Sequence, residues 1–557
     1  MGFFDIQPEK YVMKLLSSLE KVFQDEEPVY KPECLVLSSL WGETVSFQAA
    51  YMGRHVVRER VDVKIESDLG KWIRVRSVEQ VPVGRATNYM VDDNYLRTTS
   101  GLYPDLLREV KDNKVIICTN QWRSLWIDVD VTDEIHPGVY DITVKLEKEG
   151  EVICAQTMKL TVYGVNLPKQ KIMHTEWMHA DCLADYYNVK VFSEEHWQII
   201  ENFFHKYVER GGNMMMVPLF TSPLDTAVGL ERTTTQLIGI EVKDGEYHFN
   251  FDKMKRWIDL CETCGIEYFE MSHLFSQWGA KTTPKVVALV NGKEEKIFGW
   301  HTPAVGEYTR FLETFLPQLI EKLREWGIAD KTYFHISDEP REEHLESYKA
   351  AKESLGDMLK GFHTFDALSS YDFYKHGLID KPVPGNNEID EFMEHGLTDM
   401  WTYYCTGQFY EVSNRFMSMP SARNRIYGVQ LYKYDIIGIL HWGYNFYNTQ
   451  FSIEHINPYQ VTDAGNAFPA GDPFLVYPGK DGYPEESVRG MVFYEALTDL
   501  RALEYLEELT SKEHVMELVE GELAEPLTFK RYPKSDMYLL TLRNRVNKEI
   551  NAIIKGN

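Results

Sequence analysis

The hydrophobic positions along the chain follow three successive patterns, and each pattern predicts a different kind of structure. In residues 1–32 the apolar side chains recur at helical spacing, which predicts a helical lead-in. Residues 33–163 instead carry short β-branched or alternating runs separated by turn residues, and such runs predict the strands of a β-sandwich domain. The helical positions of the first stretch are Tyr11, Leu15, Leu16, Leu19 and Phe23.

The third pattern begins after residues 164–170, which are predicted to form a linker. From residue 171 to residue 510, strand-like segments alternate with helix-like ones, as is typical of parallel α/β folds. Eight such strands predict an α/β protein with a (β/α)8 TIM-like barrel. Residues 511–557 are mixed and charged and are predicted to form a C-terminal appendage. The predicted strands cover residues 171–177, 213–219, 266–274, 331–337, 359–365, 378–383, 399–405 and 436–442.

Two insertions between the predicted barrel strands have the signature of β-hairpins. Residues 237–251 contain Asp244 and Gly245 in sequence, and residues 286–300 contain Asn291 followed by Gly292. Both dipeptides strongly favour two-residue turns. The second insertion follows the third strand, so we expect it to wall the top of the barrel.

The fourth predicted strand ends in two adjacent carboxylates, Asp338 and Glu339, which Pro340 follows directly. Proline cannot continue a strand ladder, but it is favoured at the first position of a helix. The pair therefore lies at a strand-to-helix junction, which is the catalytic face of an α/β barrel. Two interpretations remain open here. The carboxylates form an acid/base pair with one raised pKa, or they favourably complement a helix N-terminus.

Other predicted strand ends also carry aromatic, histidine and acidic side chains. Because side chains alternate along a strand, only about half of them can point into the barrel. Together they predict an aromatic-walled cup with acids at its floor. The set includes His174, Glu176, Trp177, Glu270, His273, His335, Asp366, Trp401, Tyr403, Trp442, Tyr444 and Asn445.

Composition and charge exclude several other classes of function. The formal charge of −26 argues against nucleic acid or an anionic membrane as a partner. Cys261 and Cys264 have CxxC spacing, but they lie within a helical pattern and no second CxxC follows. A zinc site using His174, His179 and His273 is the main alternative, yet their spacing matches no strong metal motif. No cofactor and no metal are therefore predicted.

The N-terminal residues do not combine a basic region with an apolar run, and no segment reaches transmembrane length. We therefore expect a cytoplasmic protein without membrane insertion. Secretion stays open if a leader has been removed. No oligomeric state is predicted.

With these features the chain resembles glycoside hydrolase family 123, whose members are β-N-acetylgalactosaminidases related to bacterial proteins of unassigned function. The order of β-sandwich, barrel and carboxylate pair is shared, and the resemblance runs from about residue 33 to about residue 510. The stretches that carry it are residues 101–107, 124–129, 335–340, 442–445 and 471–479.

This resemblance implies an exo-acting, retaining hydrolase that releases terminal β-linked GalNAc from glycans or glycolipids. The 2-acetamido oxygen of the substrate would attack the anomeric carbon and form an oxazolinium ion, so that no protein nucleophile is needed. Glu339 would act as the acid/base, while Asp338 would orient the acetamido N–H and stabilise its positive charge. A charged Asp338 is also expected to keep Glu339 protonated at rest.

The same resemblance suggests roles for the pocket. Trp401 and Trp442 are expected as platforms under the sugar, and Tyr403 or Tyr444 as a donor to the acetamido carbonyl. Three further residues, Asn445, His335 and Asp366, are expected to contact sugar hydroxyls. The alternatives are a β-hexosaminidase, a glycosidase of another specificity, or a glycan-binding protein without catalysis.

Overall fold

The computed structural model describes residues 10–31, 35–54 and 58–556, which fall into two compact units. The first unit contains the described residues up to Lys171, together with Tyr410–Tyr434 and the residues from Glu485 onward. The second contains Ile172–Phe409 and Asp435–Pro484. The predicted appendage and two segments of the predicted barrel, residues 410–434 and 485–510, thus belong to the first unit. No helix in the described part of the chain is both long and apolar enough to span a bilayer.

The first unit is rich in strands, which form two five-stranded sheets among the described residues. The strand order is β1-β3-β8-β5-β6 in one sheet and β2-β10-β9-β4-β7 in the other. These strands are β1 (Tyr11–Ser17), β2 (Val36–Trp41), β3 (Glu43–Gly53), β4 (Arg58–Glu66), β5 (Ile73–Val83), β6 (Gly101–Glu109), β7 (Lys114–Cys118), β8 (Arg123–Val131), β9 (Gly138–Lys148) and β10 (Glu151–Asn166).

The helix predicted near the N-terminus is wrong, because β1 pairs antiparallel with β3 from Tyr11 to Ser17. The apolar residues of this stretch fit both periods, since Leu15 lies on the predicted helical face and also follows Met13 at strand spacing. Both side chains are buried. Pairing with a neighbouring strand decides between the two periods, and local sequence does not contain that information.

The second unit contains an eight-stranded parallel sheet in the order β20-β19-β18-β15-β12-β11-β22-β21. The strands follow one another around a nearly closed barrel, and each overlaps a predicted segment. Tyr403 N–H donates to the Pro384 carbonyl at 3.1 Å and Asn386 N–H to the Tyr403 carbonyl at 2.9 Å, next to the open edge. The strands from β11 onward are β11 (Met173–Glu176), β12 (Met214–Val217), β13 (Gly239–Lys243), β14 (Glu246–Asn250), β15 (Tyr268–Met271), β16 (Val286–Val290), β17 (Lys293–Phe298), β18 (Thr332–Phe334), β19 (His363–Ala367), β20 (Lys381–Val383), β21 (Trp401–Tyr403), β22 (Gly438–His441), β23 (Tyr477–Pro478) and β24 (Pro484–Glu485).

Both predicted hairpins are confirmed, as β13 pairs antiparallel with β14 and β16 with β17. Helices lie between the barrel strands, although several are only one or two turns long. The helices of the chain are α1 (Ala180–Tyr187), α2 (Glu194–Glu209), α3 (Asp252–Cys264), α4 (Glu307–Glu325), α5 (Leu345–Ser354), α6 (Tyr371–Lys375), α7 (Ile389–Glu394), α8 (Ser421–Lys433), α9 (Val488–Leu509), α10 (Lys512–Glu520) and α11 (Asp536–Lys555).

Large apolar side chains from the barrel strands fill its interior, and Trp401 and Phe365 are completely buried among them. The close approach of Trp401 to β22 requires a glycine at position 438. A Cβ atom there would lie 2.1 Å from the Trp401 ring. The lower barrel is therefore a packed core, and any site must lie at the strand ends.

Candidate active site

Asp338 and Glu339 lie just beyond the carboxyl end of β18, and both neighbouring strands of the barrel hold them. The Trp278 N–H, beyond the end of β15, donates to the Asp338 carbonyl at 2.9 Å. The Glu339 N–H donates to the carbonyl of Ala367, the last residue of β19, at 3.1 Å. The backbone of the pair is thereby fixed from both sides.

The backbone of Glu339 is left-handed, with φ of 40°. A non-glycine residue in this region is strained by about 1 kcal/mol or more, and such strain persists where the surroundings enforce it. Tyr403 donates its hydroxyl to Glu339 Oε1 at 3.0 Å, and the Cys405 thiol lies 3.8 Å from the same oxygen. The Glu339 carboxyl is therefore held against the end of β21, half-buried rather than free in solvent.

A cavity of about 590 Å³ opens beside Glu339. This volume lies within the range of small-ligand sites and is large enough for a sugar. Five carboxylate residues and one arginine contribute to its wall. The lining residues are Glu339, Pro340, Arg341, Glu342, Leu368, Ser369, Ser370, Tyr371, Asp372, Glu388, Glu391, Tyr403, Cys405, Thr406, Gly407 and Gln408.

A buried charged network supports the pair from within the barrel. His335 lies between two carboxylates, with Nε2 bonded to Glu270 and Nδ1 3.0 Å from Asp366. Glu270 also accepts hydrogen bonds from the Trp177 indole at 2.5 Å and the Thr175 hydroxyl at 2.6 Å. The network therefore joins β11, β15, β18 and β19 directly below the carboxylate pair.

Asp366 additionally holds the chain segment that leads into the pair. Its Oδ1 accepts the Ile336 N–H at 2.9 Å, and its Oδ2 accepts the Ser337 N–H at 3.2 Å. The Tyr348 hydroxyl donates to Oδ2 at 2.5 Å. His335 and Asp366, both predicted to contact sugar hydroxyls, are completely buried, and their polar atoms bond to protein groups.

The electrostatics of the site follow from burial and from the crowding of like charges. Burial, followed by the charge of Glu339, holds the pKa of Asp338 well above its usual range. Burial alone would lower the pKa of His335, but the carboxylates of Glu270 and Asp366 outweigh it and raise that pKa to about 9. His335 is thus an imidazolium at neutral pH. The raised pKa of Asp338 differs from the expectation of a charged Asp338 at rest.

The remaining predicted pocket residues lie in different surroundings. Trp401 is part of the barrel core, while Tyr403 contacts Glu339 directly. Trp442 is half-buried, and its indole donates to Asp472 at 3.0 Å. The ring of Tyr444 is buried against α2, and the Asn445 side chain exchanges hydrogen bonds with the His179 backbone at 2.8 and 3.1 Å.

Two acidic residues near the site were not among the predicted site residues. Glu270 appeared only as one of many polar strand-end residues, and its bond to His335 depends on the pairing of β15 with β18. Asp225 lies in the loop after β12, where burial raises its pKa to about 6 and the nearby charge of Glu339 adds to the effect. No sequence motif marks Asp225. Across the described residues, no three His, Cys, Asp or Glu side chains are arranged to hold a metal ion.

An α/β barrel with a half-buried carboxylate pair at a strand end, one of whose members has a strained backbone and lines a cavity of sugar size, is the arrangement expected of a barrel glycosidase. The model of the glycoside hydrolase 123 catalytic domain matches residues 177–506. The chain therefore belongs to glycoside hydrolase family 123, and the protein is a glycosidase.

A solved structure shares this fold over nearly the whole chain. The chain is similar to a family 123 glycoside hydrolase from Clostridium perfringens, studied for glycolipid glycan hydrolysis, with a TM-score of 0.71, 17% identity and 98% coverage of both chains. A GH2 β-galacturonidase from Eisenbergiella tayi aligns with a TM-score of only 0.29 and 9% identity, over 82% of this chain and 68% of that one. No curated protein matches the sequence.

Proposed function

We propose that the protein is an exo-acting, retaining β-N-acetylgalactosaminidase that uses the 2-acetamido group of its substrate as the nucleophile. The observation that carries this proposal is the carboxylate pair itself. Asp338 and Glu339 are adjacent in sequence and fixed by both neighbouring strands, beside a cavity of about 590 Å³. Adjacent carboxylates can serve two nearby groups of one sugar, whereas an ordinary retaining pair stands about 5 Å apart across the glycosidic bond.

The roles of the two carboxylates follow from their surroundings. Glu339 protonates the leaving oxygen and later activates water, and the Tyr403 hydroxyl fixes its orientation. Asp338 accepts the acetamido N–H and stabilises the positive charge of the oxazolinium ion.

The raised pKa of Asp338 is compatible with these roles. In the free enzyme, burial and then the charge of Glu339 raise the pKa of Asp338 and favour its protonated form. A hydrogen bond from the acetamido N–H favours the ionised form of Asp338. Substrate binding would thereby set the protonation state that the reaction needs.

We propose that fewer residues contact the sugar than the sequence predicts. Tyr403 and the half-buried Trp442 stay in our proposed pocket. We assign His335 and Asp366 to positioning, because both are completely buried and bonded to the strand ends. Trp401, Tyr444 and Asn445 act through packing and backbone contacts. The substrate class is a glycan or glycolipid that ends in β-GalNAc, in keeping with the glycolipid activity described for the Clostridium perfringens relative.

The first test compares hydrolysis of aryl β-GalNAc, aryl β-GlcNAc and aryl β-galactoside by the wild type and by Asp338→Asn. We expect the wild type to cleave the GalNAc substrate, and the substitution to lower kcat by about 10²- to 10³-fold, as expected when one transition-state contact is lost. Asp372→Asn, which changes another carboxylate of the cavity wall, is the matched control and should retain activity.

Each alternative function predicts a different result. Equal cleavage of the galactoside would contradict participation of the acetamido group, and preference for GlcNAc would indicate a β-hexosaminidase. Binding of GalNAc without hydrolysis of any substrate would indicate a glycan-binding protein. A large fall in Tm for Asp338→Asn, without an effect on kcat, would assign the residue a structural role.

A further inference from the structure

The cavity beside Glu339 lies on one side of the carboxylate pair only. Its wall comes from the segments that follow β18, β19 and β20 and from the end of β21, and no described residue of β11, β12, β15, β22 or their loops contributes to it. Glu339 is part of this wall, whereas Asp338 is not. Asp338 instead adjoins the β15 side of the barrel, where the Trp278 N–H donates to its carbonyl at 2.9 Å. The two carboxylates therefore border different parts of the site.

Both side chains of the pair have carboxyl oxygens that are available to a substrate. Glu339 Oε1 accepts the Tyr403 hydroxyl at 3.0 Å, but Oε2 has no hydrogen-bond partner in the described part of the chain and is not enclosed. The carboxyl oxygens of Asp338 likewise make no hydrogen bond to a described residue and are not enclosed. Both residues are half-buried. Glu339 can thus contact a bound molecule from the wall of the cavity, and Asp338 from outside that cavity.

The roles proposed for the two carboxylates divide the substrate between these two sides. A catalytic acid lies within hydrogen-bond reach of the glycosidic oxygen, which joins the terminal sugar to the leaving group. Asp338 binds the acetamido group, so the terminal sugar lies on its side of the pair, together with Trp442, which does not line the cavity either. The leaving group extends from Glu339 Oε2 in the opposite direction. That direction leads into the cavity of about 590 Å³.

The side chains of the cavity wall are mainly polar. Pro340 and Leu368 are the aliphatic members among the described lining residues, and hydroxyl, amide and acidic side chains predominate. The hydroxyls of Ser370 and Tyr371 make no hydrogen bond to a described residue, and both residues are half-buried. Ser370 precedes α6, yet its hydroxyl does not cap that helix. A wall with unused hydroxyl groups suits a polyhydroxylated ligand better than a lipid tail.

The ring of Tyr371 is held in place at the wall of the cavity. It stacks on His395 with centroids 4.1 Å apart and planes 25° apart, and Phe392 packs edge-on against it at 5.5 Å. These contacts fix the ring from the side of α7, while the residue itself lines the cavity. A fixed aromatic ring with an unbonded hydroxyl offers an apolar body and a polar tip. A sugar ring, with its C–H groups and hydroxyls, matches both.

We propose that this cavity is an aglycone subsite that binds an uncharged second sugar, the one to which the terminal sugar is linked, through Tyr371 and Ser370. The five carboxylate residues of the wall, against one arginine, disfavour an anionic second sugar. This inference rests on the proposed function for the orientation of the terminal sugar. Contacts remote from the reacting atoms contribute to transition-state stabilisation, so the subsite should raise kcat/KM only for substrates that fill it.

The test compares substrates that fill the subsite with one that leaves it empty. The first are disaccharides of β-GalNAc linked to galactose, glucose or GlcNAc, and the second is β-GalNAc fluoride, whose leaving group is a single atom. For the best disaccharide, we expect Tyr371→Ala to lower kcat/KM by about 10-fold and Ser370→Ala by about 3- to 10-fold, as is typical of one ring contact and one hydrogen bond. Hydrolysis of the fluoride should change by less than about 2-fold. Tyr374→Ala is the matched control, because Tyr374 lies on α6, 5.9 Å from the Tyr371 ring, but does not line the cavity.

Equal losses for fluoride and disaccharides, or no loss for the disaccharides, would overturn the inference. Cleavage of the fluoride without cleavage of any disaccharide would do the same. If Tyr371→Ala has a lowered Tm, Tyr371→Phe and Ser370→Ala still test the two hydroxyl contacts. If the wild type hydrolyses none of these substrates, the proposed function fails on its own, and calorimetry with the intact disaccharides decides the inference. Weaker binding to Tyr371→Phe and Ser370→Ala would support the subsite, whereas unchanged binding or none would reject it.

Discussion

At the scale of single residues, Glu339 combines a strained backbone with a side chain fixed by the Tyr403 hydroxyl. This arrangement suits an acid whose orientation matters more than its flexibility. Loss of the proton that Glu339 donates should slow hydrolysis most for substrates whose leaving group cannot depart without protonation.

We therefore expect Glu339→Gln to slow substrates with sugar or alkyl leaving groups by about 10²- to 10⁴-fold, and dinitrophenyl substrates far less. The measurement is kcat/KM across a series of leaving groups of increasing pKa. Glu342→Gln is the matched control, since Glu342 lines the same cavity but is exposed. A loss that does not depend on the leaving group would argue against Glu339 as the acid.

The sequence alone could identify this pair, because a strand that ends in two carboxylates and a proline is a local signal. The sequence could not show which inward-pointing side chains line a cavity and which are buried beneath other side chains. His335 and Asp366 carry the right chemistry for sugar contact, yet both are completely buried. The difference arises from Glu270, which lies 65 residues away from His335 in the chain.

At the scale of elements, all eight barrel strands overlap their predicted segments because buried parallel strands read as short apolar runs. The sequence predicts a helix at β1 because the apolar residues of this strand fit both periods and its partner β3 is distant in sequence. The boundaries were less accurate, since strands such as β18 and β21 have only three residues. Burial of the surrounding loops extends the apolar pattern beyond the hydrogen-bonded ladder.

The network of Glu270, His335 and Asp366 links barrel strands through charge, so its contribution to stability depends on pH. The folded-state pKa of His335, about 9, lies above the usual value of about 6.5. The stabilisation is therefore fully present below about pH 6.5 and is lost as pH rises through about 9. The difference between the two pKa values corresponds to about 3 kcal/mol.

Asp366→Asn tests this effect, because the neutral amide no longer favours the imidazolium. Its single oxygen accepts only one of the two backbone N–H groups, and that loss does not depend on pH. We expect the free energy of unfolding of the variant to fall below that of the wild type at pH 7. The gap should narrow by on the order of 1 kcal/mol at pH 9.5. Urea denaturation at both pH values provides the measurement.

Wild type and Asp366→Asn must be compared because the ionisation of Lys21 gives stability a pH dependence of opposite sign to that of His335. Burial lowers the pKa of its amine to about 7, so its own contribution to stability rises with pH over the same range. This contribution cancels in the difference between wild type and variant. A gap that stays constant from pH 7 to pH 9.5 would contradict an imidazolium at position 335.

At the scale of the whole molecule, the first unit is built from segments far apart in the chain. The C-terminal residues looked like an appendage because no local pattern shows which distant surface a helix will cover. In the structure, α11 contributes buried Leu539, Val546 and Ile550 to the first unit. Contacts of high sequence separation are therefore the part of this fold that the sequence did not reveal.

Arg543 of α11 connects three of these distant segments through charge. Its guanidinium donates to Glu43 Oε2 at 2.7 Å, to Asp499 Oδ1 at 3.2 Å and to Asn547 at 2.9 Å. Both acidic partners are buried, and truncating the arginine leaves Glu43 without its cationic partner, whereas Asp499 keeps its ion pair with Arg425. Removal of one member of a buried ion pair costs about 3 to 5 kcal/mol.

Arg545 provides the matched comparison on the same helix, because it is exposed and its ion pair with Glu522 at 2.7 Å is also exposed. We expect Arg543→Ala to lower the free energy of unfolding by about 3 to 5 kcal/mol, and Arg545→Ala by less than about 1 kcal/mol. Urea denaturation of the full chain measures both. If the two variants lost equal stability, α11 would be a peripheral appendage, as its composition first indicated. A selective loss for Arg543→Ala would show that the C-terminal helix is an integral part of the first unit, because only a helix packed into that unit can leave Glu43 uncompensated.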